Sequence, residues 1–352
     1  MDPLANCGVD ADSFCRTASF SRTPCDVYVI QLESRGDSVR SRFHHTSTKV
    51  TSMARVHRGR ITRALWLHIS LCAAAVFLAA CSGPTYAAPR HPRAPEVPPD
   101  SPRLDWIVSS SAISLLEGAG MSRLELDHIF GHPDTFLISD NGREPGPGWK
   151  STLTLGFADF AALAHALRNL PASSKVRAIL YDDEHWVLTP LNQQQHPTLY
   201  EHEAAILARA HHLLFVATPA RSLALVLAPG SPRNGVYHRL DFAGGAAQSA
   251  NVVDIQAQGL EGNPAAYASF VQSAAVQARR ANPSVIVLAG ISTNPNGRAA
   301  TASEILAAIQ ATRRVVDGYW LNIPAAGVAC PHCGRPRPEV AAAVLRKLYG
   351  LR

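Results

Sequence analysis

The feature that most constrains this chain is a rhythm that starts at residue 104 and continues to the C-terminus. Short apolar runs alternate with longer stretches of helical periodicity. The runs are 104–109, 135–139, 176–181, 213–217, 252–257, 285–290 and 318–323. They are apolar throughout, as expected for parallel strands buried on both faces. Between them lie 157–170, 199–211, 236–250, 264–280, 300–313 and 337–349. In these stretches apolar side chains return at helical spacing. Tyr267, Phe270, Val271, Ala274 and Ala278 share one side of their segment, and Ile305, Leu306 and Ile309 share one side of theirs. The 249 residues of 104–352 are close to the roughly 250 of a (β/α)8 barrel. Seven runs are plain. The eighth strand is either 151–155 or 223–227. A doubly wound open sheet competes, but it would want a Gly-rich phosphate turn after the first strand. "VSSSAISLLEGAG" supplies none. The expected fold is therefore α/β, a (β/α)8 TIM-like barrel.

Three segments precede the barrel. Residues 53–81, "MARVHRGRITRALWLHISLCAAAVFLAAC", follow the plan of a secretory signal. Arg55, Arg58, Arg60 and Arg63 form a positive start. Residues 64–80 are apolar apart from His68 and Ser70. The ending Leu78-Ala79-Ala80-Cys81 resembles a bacterial lipobox. That resemblance implies that Cys81 is lipidated and becomes the first residue of an exported, membrane-tethered chain. A single transmembrane anchor is one alternative, although the 17-residue apolar run falls short of a span of roughly 20. Cleavage after Thr85-Tyr86-Ala87, giving a secreted protein, is another. Residues 82–103 are Pro-rich without apolar periodicity and read as a disordered, semi-extended tether. Residues 1–52 read as a doubtful extension, with translation expected to start at Met53. A long positive start to the signal is the alternative.

The net charge of +6 belongs to this leader. Residues 1–103 carry 13 Lys/Arg against 8 Asp/Glu, whereas 104–352 carry 20 against 19. With no basic stripe on the folded part, nucleic acid is not an expected partner. The seven cysteines reduce in the same way. Cys7, Cys15 and Cys25 lie in the extension, Cys72 in the signal and Cys81 at the lipid site, which leaves Cys330 and Cys333 in "ACPHCG". In an exported protein this pair reads as a local disulfide. Zinc would need about four ligands, and only His332 is near. A thioredoxin-like motif would stand after the first strands, not near the C-terminus. His185, His196, His202, His211 and His212 show no metal-binding spacing and read as surface or packing residues. No metal and no cofactor is expected.

Barrel enzymes place their sites at the C-terminal ends of the strands, so the residues after each run carry the functional reading. "RAILYDDEHWVLTP" ends an apolar run in Asp182, Asp183, Glu184, His185 and Trp186. Side chains alternate along a strand, so Asp182 and Glu184 share a face. So do Asp254, Gln256 and Gln258, and so do Trp320 and Asn322. Polar groups at period two inside apolar strands are costly to bury unless paired. Three strands sharing the pattern point to one polar pocket. Asp183 points the other way and reads as a loop cap, and Thr189-Pro190 reads as a helix N-cap followed by Pro.

The "YDDE" strand end resembles the last part of the DxxDxDxE signature of chitinase-like, family 18 glycoside hydrolases. The final Asp and Glu match Asp182 and Glu184, and the two earlier Asp positions hold Arg177 and Leu180. The domain as a whole resembles an uncharacterised group of exported bacterial barrel proteins with a YDxExW segment, here Tyr181, Asp182, Glu184 and Trp186. The family 18 resemblance implies Glu184 as general acid and Asp182 as the group that orients and stabilises a substrate-assisted intermediate. The residues themselves admit glycoside hydrolysis, with Asp182 or Asp254 as the second group. Gln256, Gln258 and Asn322 would bond sugar hydroxyls, and Trp186 and Trp320 would stack on the ring. The expected partner is a carbohydrate or cell-wall glycan. The competing readings are a non-catalytic glycan-binding lipoprotein and a structural surface protein without a cleft.

Overall fold

The computed structural model describes residues 103–139 and 148–351. The extension, the signal with Cys81, and the tether up to 102 lie outside the described residues. Eight strands follow one another: β1 (Asp105–Ser109), β2 (Thr135–Ile138), β3 (Thr152–Phe157), β4 (Ala178–Tyr181), β5 (Leu214–Ala217), β6 (Val252–Ile255), β7 (Ile286–Ser292) and β8 (Gly318–Asn322). They pair in sequence order, all parallel, and β8 closes on β1. The helices are α1 (Ser110–Gly118), α2 (Arg123–Phe130), α3 (Phe160–Arg168), α4 (Leu191–Gln195), α5 (Pro197–Ala210), α6 (Ala224–Leu227), α7 (Arg233–Arg239), α8 (Phe242–Ala247), α9 (Pro264–Ala281), α10 (Ala302–Thr312) and α11 (Pro338–Tyr349). The chain is a (β/α)8 TIM-like barrel, and the open-sheet alternative falls with the β1–β8 pairing.

Both faces of the strands are buried, which explains their continuous apolar runs. Ile107, Phe136, Leu180, Val216, Val252, Leu288 and Trp320 fill the barrel interior. Their outward neighbours, such as Val108, Tyr181, Phe215 and Tyr319, pack under the helices. The last helix fastens the ring at its seam. Buried Trp106 of β1 donates its indole N–H to the Tyr349 hydroxyl of α11 at 2.8 Å, and its ring meets Phe130 edge-on at 5.6 Å.

The structure corrects two element readings. Residues 223–227 are not a strand. They belong to a short 3-10 turn (Arg221–Leu223) and α6, and the third strand is Thr152–Phe157. A short apolar run cannot be told from a buried helical turn by periodicity alone. Residues 236–250 are two helices, not one. Asp241 stands between α7 and α8 in the left-handed region, at φ 54°. That conformation stops a helix, and Asp tolerates it better than most residues. The helices α1 and α2, unforeseen in the sequence, start on Ser109 and on Ser122, whose side chain forms a capping box with Glu125.

Candidate active site

Parallel strands deliver all eight C-terminal ends to one mouth. On β4 to β8 the interior parity continues past the last apolar residue. Leu180 is followed on that face by Asp182, Val216 by Thr218, Val252 by Asp254 and then Gln256, Leu288 by Gly290 and then Ser292, and Trp320 by Asn322. At this mouth the structure holds a cavity of about 280 Å³. Six of the predicted residues around it are Asp182, Glu184, Trp186, Gln256, Trp320 and Asn322, and Gln258 is a seventh. All seven therefore face one space.

Asp182 is the best-held of them. Its Oδ1 accepts a hydrogen bond from the Thr218 hydroxyl at 2.8 Å and from the Gln256 amide at 2.6 Å. The same amide also donates to the Thr218 carbonyl at 2.9 Å. Burial pushes the Asp182 carboxyl up to about 6, and the bonds from Thr218 and Gln256 pull the other way. Burial, and then the charge of Asp182, push Glu184 up to about 8, against the pull of the Gln256 amide. Both carboxyls are thus raised, Glu184 further than Asp182, the ordering that acid catalysis beside a stabilising carboxylate requires.

The loop that carries Glu184 and Trp186 is stitched from below. Buried Thr189 accepts the Glu184 backbone N–H at 3.3 Å and the Trp186 indole N–H at 2.6 Å. The Gln194 amide donates to the carbonyls of Trp186 and Thr189, at 2.9 and 2.6 Å. Thr189 is therefore not a helix cap. It is spent on the loop, and α4 starts after Pro190 with no side-chain cap. Nor is Asp183 a cap. It is fully buried on the outer side of β4, where neither carboxylate oxygen finds a hydrogen-bond donor among the described residues. Burial, and then the charge of buried Glu201 on α5, hold it well above the usual carboxylate range. His196, His202, His211 and His212 are exposed, and His185, also exposed, is bonded to Gln194 at 2.8 Å.

Asp254 does not line the cavity. It stands two residues below Gln256 on the inner face of β6, fully buried, with both oxygens unpartnered among the described residues. Burial, then the charge of Asp182, raise it well above the usual carboxylate range. Among the described residues around the cavity, Asp182 and Glu184 are the only carboxyl groups. No other carboxylate of the described residues lines it.

The structure adds residues that sequence reasoning left unassigned. Thr218 and Ser292 continue the period-two pattern of β5 and β7, a signal that was present. Arg221 gave none. It braces the end of β6, donating to the carbonyls of Gln256 at 3.1 Å and Gln258 at 2.6 Å and to the Asn234 side chain at 2.9 Å. Arg233 also reaches the cavity from α7. Cys330 and Cys333 are disulfide-bonded, with Cα atoms 5.4 Å apart, and both contribute to the cavity wall. Their loop closes on itself from Ala326 N–H to Gly334 O at 2.7 Å, and the Asn294 amide ties it to the end of β7 through the Cys333 and Arg335 carbonyls. Among the described residues no cluster of His, Cys, Asp and Glu could hold a metal ion, and no helix is long and apolar enough to cross a membrane.

No family model and no curated protein matches the chain. Among solved structures it is similar to the carboxyl transferase domain of Rhizobium etli pyruvate carboxylase with pyruvate and biocytin. The identity is 13%, with 72% of this chain and 47% of that chain covered, at a TM-score of 0.39. It is likewise similar to the complete multifunctional pyruvate carboxylase of Rhizobium etli, at 15% identity, covering 72% of this chain and 26% of that one, with a TM-score of 0.36. The chain spans less than half the length of these neighbours, and no chemistry follows from so distant a likeness.

Proposed function

We propose that the barrel is a glycoside hydrolase in which Glu184 protonates the leaving oxygen and Asp182 steadies the positive charge that develops. One observation carries the reading. Glu184, its carboxyl raised by burial and by the charge of Asp182, and Asp182, hydrogen-bonded by Thr218 and Gln256, face one cavity that also offers amides and two indoles. Glycosidases that use an enzymic base or nucleophile set a second carboxyl across the scissile bond, about 5–9.5 Å from the first. Asp254 cannot fill that role from the barrel interior. Asp182 adjoins Glu184 on the same strand end and is already engaged by Thr218 and Gln256. With the carboxyls that the described residues supply, the chemistry that fits is substrate-assisted, so a sugar bearing a 2-acetamido group supplies the internal nucleophile and Asp182 orients it. Water then completes the hydrolysis, with Glu184, now ionised, as base. The test is cleavage of a glycan panel, including chitooligosaccharides, by the full chain. Glu184→Gln is expected to lower turnover at least 100-fold with an unchanged unfolding temperature. Equal cleavage by wild type and variant overturns the reading.

That Asp182 and Glu184 are the only carboxyls among the described residues of the cavity also favours a second reading, a glycan-binding protein without turnover. Binding without cleavage across the panel, weakened by Trp186→Ala, selects it.

Export through residues 53–81 with lipidation at Cys81 belongs to the same proposal. The Cys330–Cys333 disulfide supports it, because disulfides persist in oxidising compartments. Cys81→Ser is expected to abolish lipid labelling and release the protein from the membrane fraction. A chain that never takes up label and stays in the membrane fraction as Cys81→Ser selects the transmembrane anchor instead.

A further inference from the structure

The carboxyl pair occupies the β4 side of the mouth, and the β6–β8 side carries a different set of groups. Ser292 ends β7, is 2% exposed, and contributes to the cavity, yet its hydroxyl has no hydrogen-bond partner among the described residues. A buried, unpartnered hydroxyl costs about 1–3 kcal/mol unless something bonds it. Asn322 on β8 is the register partner of Ser292 and also contributes to the cavity. The Gln258 side chain lies over Gly290, one interior position below Ser292. A Cβ built on Gly290 would fall 2.2 Å from Gln258 Nε2. Gly290 itself sits in ordinary strand conformation between Trp320 of β8 and the β6 side. Backbone strain therefore does not require glycine there. The space above it does, because the Gln258 amide occupies that space. Among the described residues no side-chain hydrogen bond holds either the Gln258 or the Asn322 amide, whereas the neighbouring Gln256 amide is spent on Asp182 and Thr218.

We infer that Ser292, Asn322 and Gln258 form a second recognition subsite. It takes a vicinal hydroxyl pair of a neutral sugar ring, and Gly290 is the residue that makes room for it. The inference rests on the sugar-site reading of the cavity and assigns the face of the ring away from the acid. The chemistry of the three groups sets the class of ligand. Each carboxamide offers an NH2 that donates and a carbonyl oxygen that accepts, and the hydroxyl does both. None carries charge. A diol, which must both give and accept hydrogen bonds, satisfies them as a set, whereas a carboxylate or phosphate, which only accepts, leaves the amide oxygens unpaired. The subsite therefore selects neutral rings over acidic ones. Gly290 gives the arrangement a handle outside the ligand shell. Gly290→Ala need not disturb the strand, because the atoms it displaces are the free end of Gln258.

The experiment is calorimetric titration of the full chain carrying Glu184→Gln, which binds without turnover. The probes are triacetylchitotriose, cellotriose and a uronate-containing trisaccharide. Gly290→Ala, Ser292→Ala and Gln258→Leu are each added to that background, with unfolding temperature as the control for the fold. Each addition is expected to weaken binding of the neutral probe about 3- to 10-fold, the loss of one or two neutral hydrogen bonds. The uronate probe is expected to bind more weakly than the neutral ones in the parent. If the parent binds a neutral probe while Ser292→Ala and Gln258→Leu bind it equally well, the subsite is wrong and the sugar site stands. If the parent binds only the uronate, the chemical class assigned to the subsite is wrong. If the parent binds no probe, the sugar reading fails and the subsite with it. Should Gly290→Ala not fold, Ser292→Ala and Gln258→Leu decide alone.

Discussion

Glu184 and Asp182 are two residues apart, and their environments drive their protonation in different ways. Asp182 keeps its charge because Thr218 and Gln256 donate to it, and Glu184 keeps its proton because burial and that charge both oppose ionisation. For the proposed hydrolysis the rate is therefore expected to follow a bell, rising as Asp182 ionises near 6 and falling as Glu184 loses its proton near 8. Both limbs are read from kcat/KM between pH 4.5 and 9.5. Gln256→Leu removes a donor to Asp182, which raises the carboxyl's pKa, so its acid limb is expected to move to higher pH. An acid limb that stays in place in Gln256→Leu would show that some other group sets it. Gln256→Leu thus separates positioning from bulk structural damage, which would lower the rate without moving the limb.

At the level of elements, the pocket is a set of strand ends plus segments outside the strands, one of which is a cross-linked wall. That wall is the loop 324–335, closed by Cys330 and Cys333 and tied to β7 by Asn294. A disulfide over so short a loop constrains the unfolded chain little. Replacing both cysteines by serine is therefore expected to lower the unfolding temperature by no more than about 4 °C, the scale of a change under 1 kcal/mol, while glycan affinity falls. Thermal unfolding and calorimetry on the same sample check this. A large loss of stability at unchanged affinity would make the disulfide a fold staple and not a wall. The contrast also explains which elements were legible in the sequence. Strands buried on both faces announce themselves as apolar runs, and period-two polar residues at their ends announced the inner rim: Asp182, Gln256, Asn322. The third strand was ambiguous because β3 turns Thr152 and Thr154 inward, which weakens the apolar signal beside the wholly apolar turn at 223–227. Asp254 shows the same limit from the other side. Parity puts it on the correct face but says nothing of depth. One step of two residues separates a rim amide from a buried acid. The disulfide wall and the Arg221 brace depend on contacts between segments far apart in the chain, so no local pattern encodes them.

The whole molecule carries an unusual stock of buried acids, and this sets how its stability varies with pH. Glu201 is raised from 4.5 to about 8 by burial. Asp105, at the opposite end of the barrel from the site, is raised from 3.8 to about 7 by burial and then by the charges of Asp134 and Asp317. Glu184 adds a third case, and Asp183 and Asp254 lie well above the usual range. In each case the folded state holds a proton that the unfolded state releases at lower pH. Between about pH 4 and 8 the native chain binds more protons than the unfolded one, so stability falls as pH rises through that window. The contribution is fully present below the unfolded values and is lost above the folded ones. Glu201 is the cleanest probe, because it is 1% exposed on α5 and takes no part in the cavity. A shift of about 3.5 units at about 1.4 kcal/mol each makes its ionisation a cost on the order of 5 kcal/mol. Glu201→Gln keeps the shape and cannot ionise. The unfolding temperature of the wild type is expected to drop steadily from pH 5 to pH 8.5, and that of Glu201→Gln to drop less. The variant should be close to the wild type at pH 5 and more stable at pH 8.5. Parallel curves for the two proteins would mean that Glu201 is already ionised in the fold, held by a partner that its burial among Asp183 and Tyr237 does not supply.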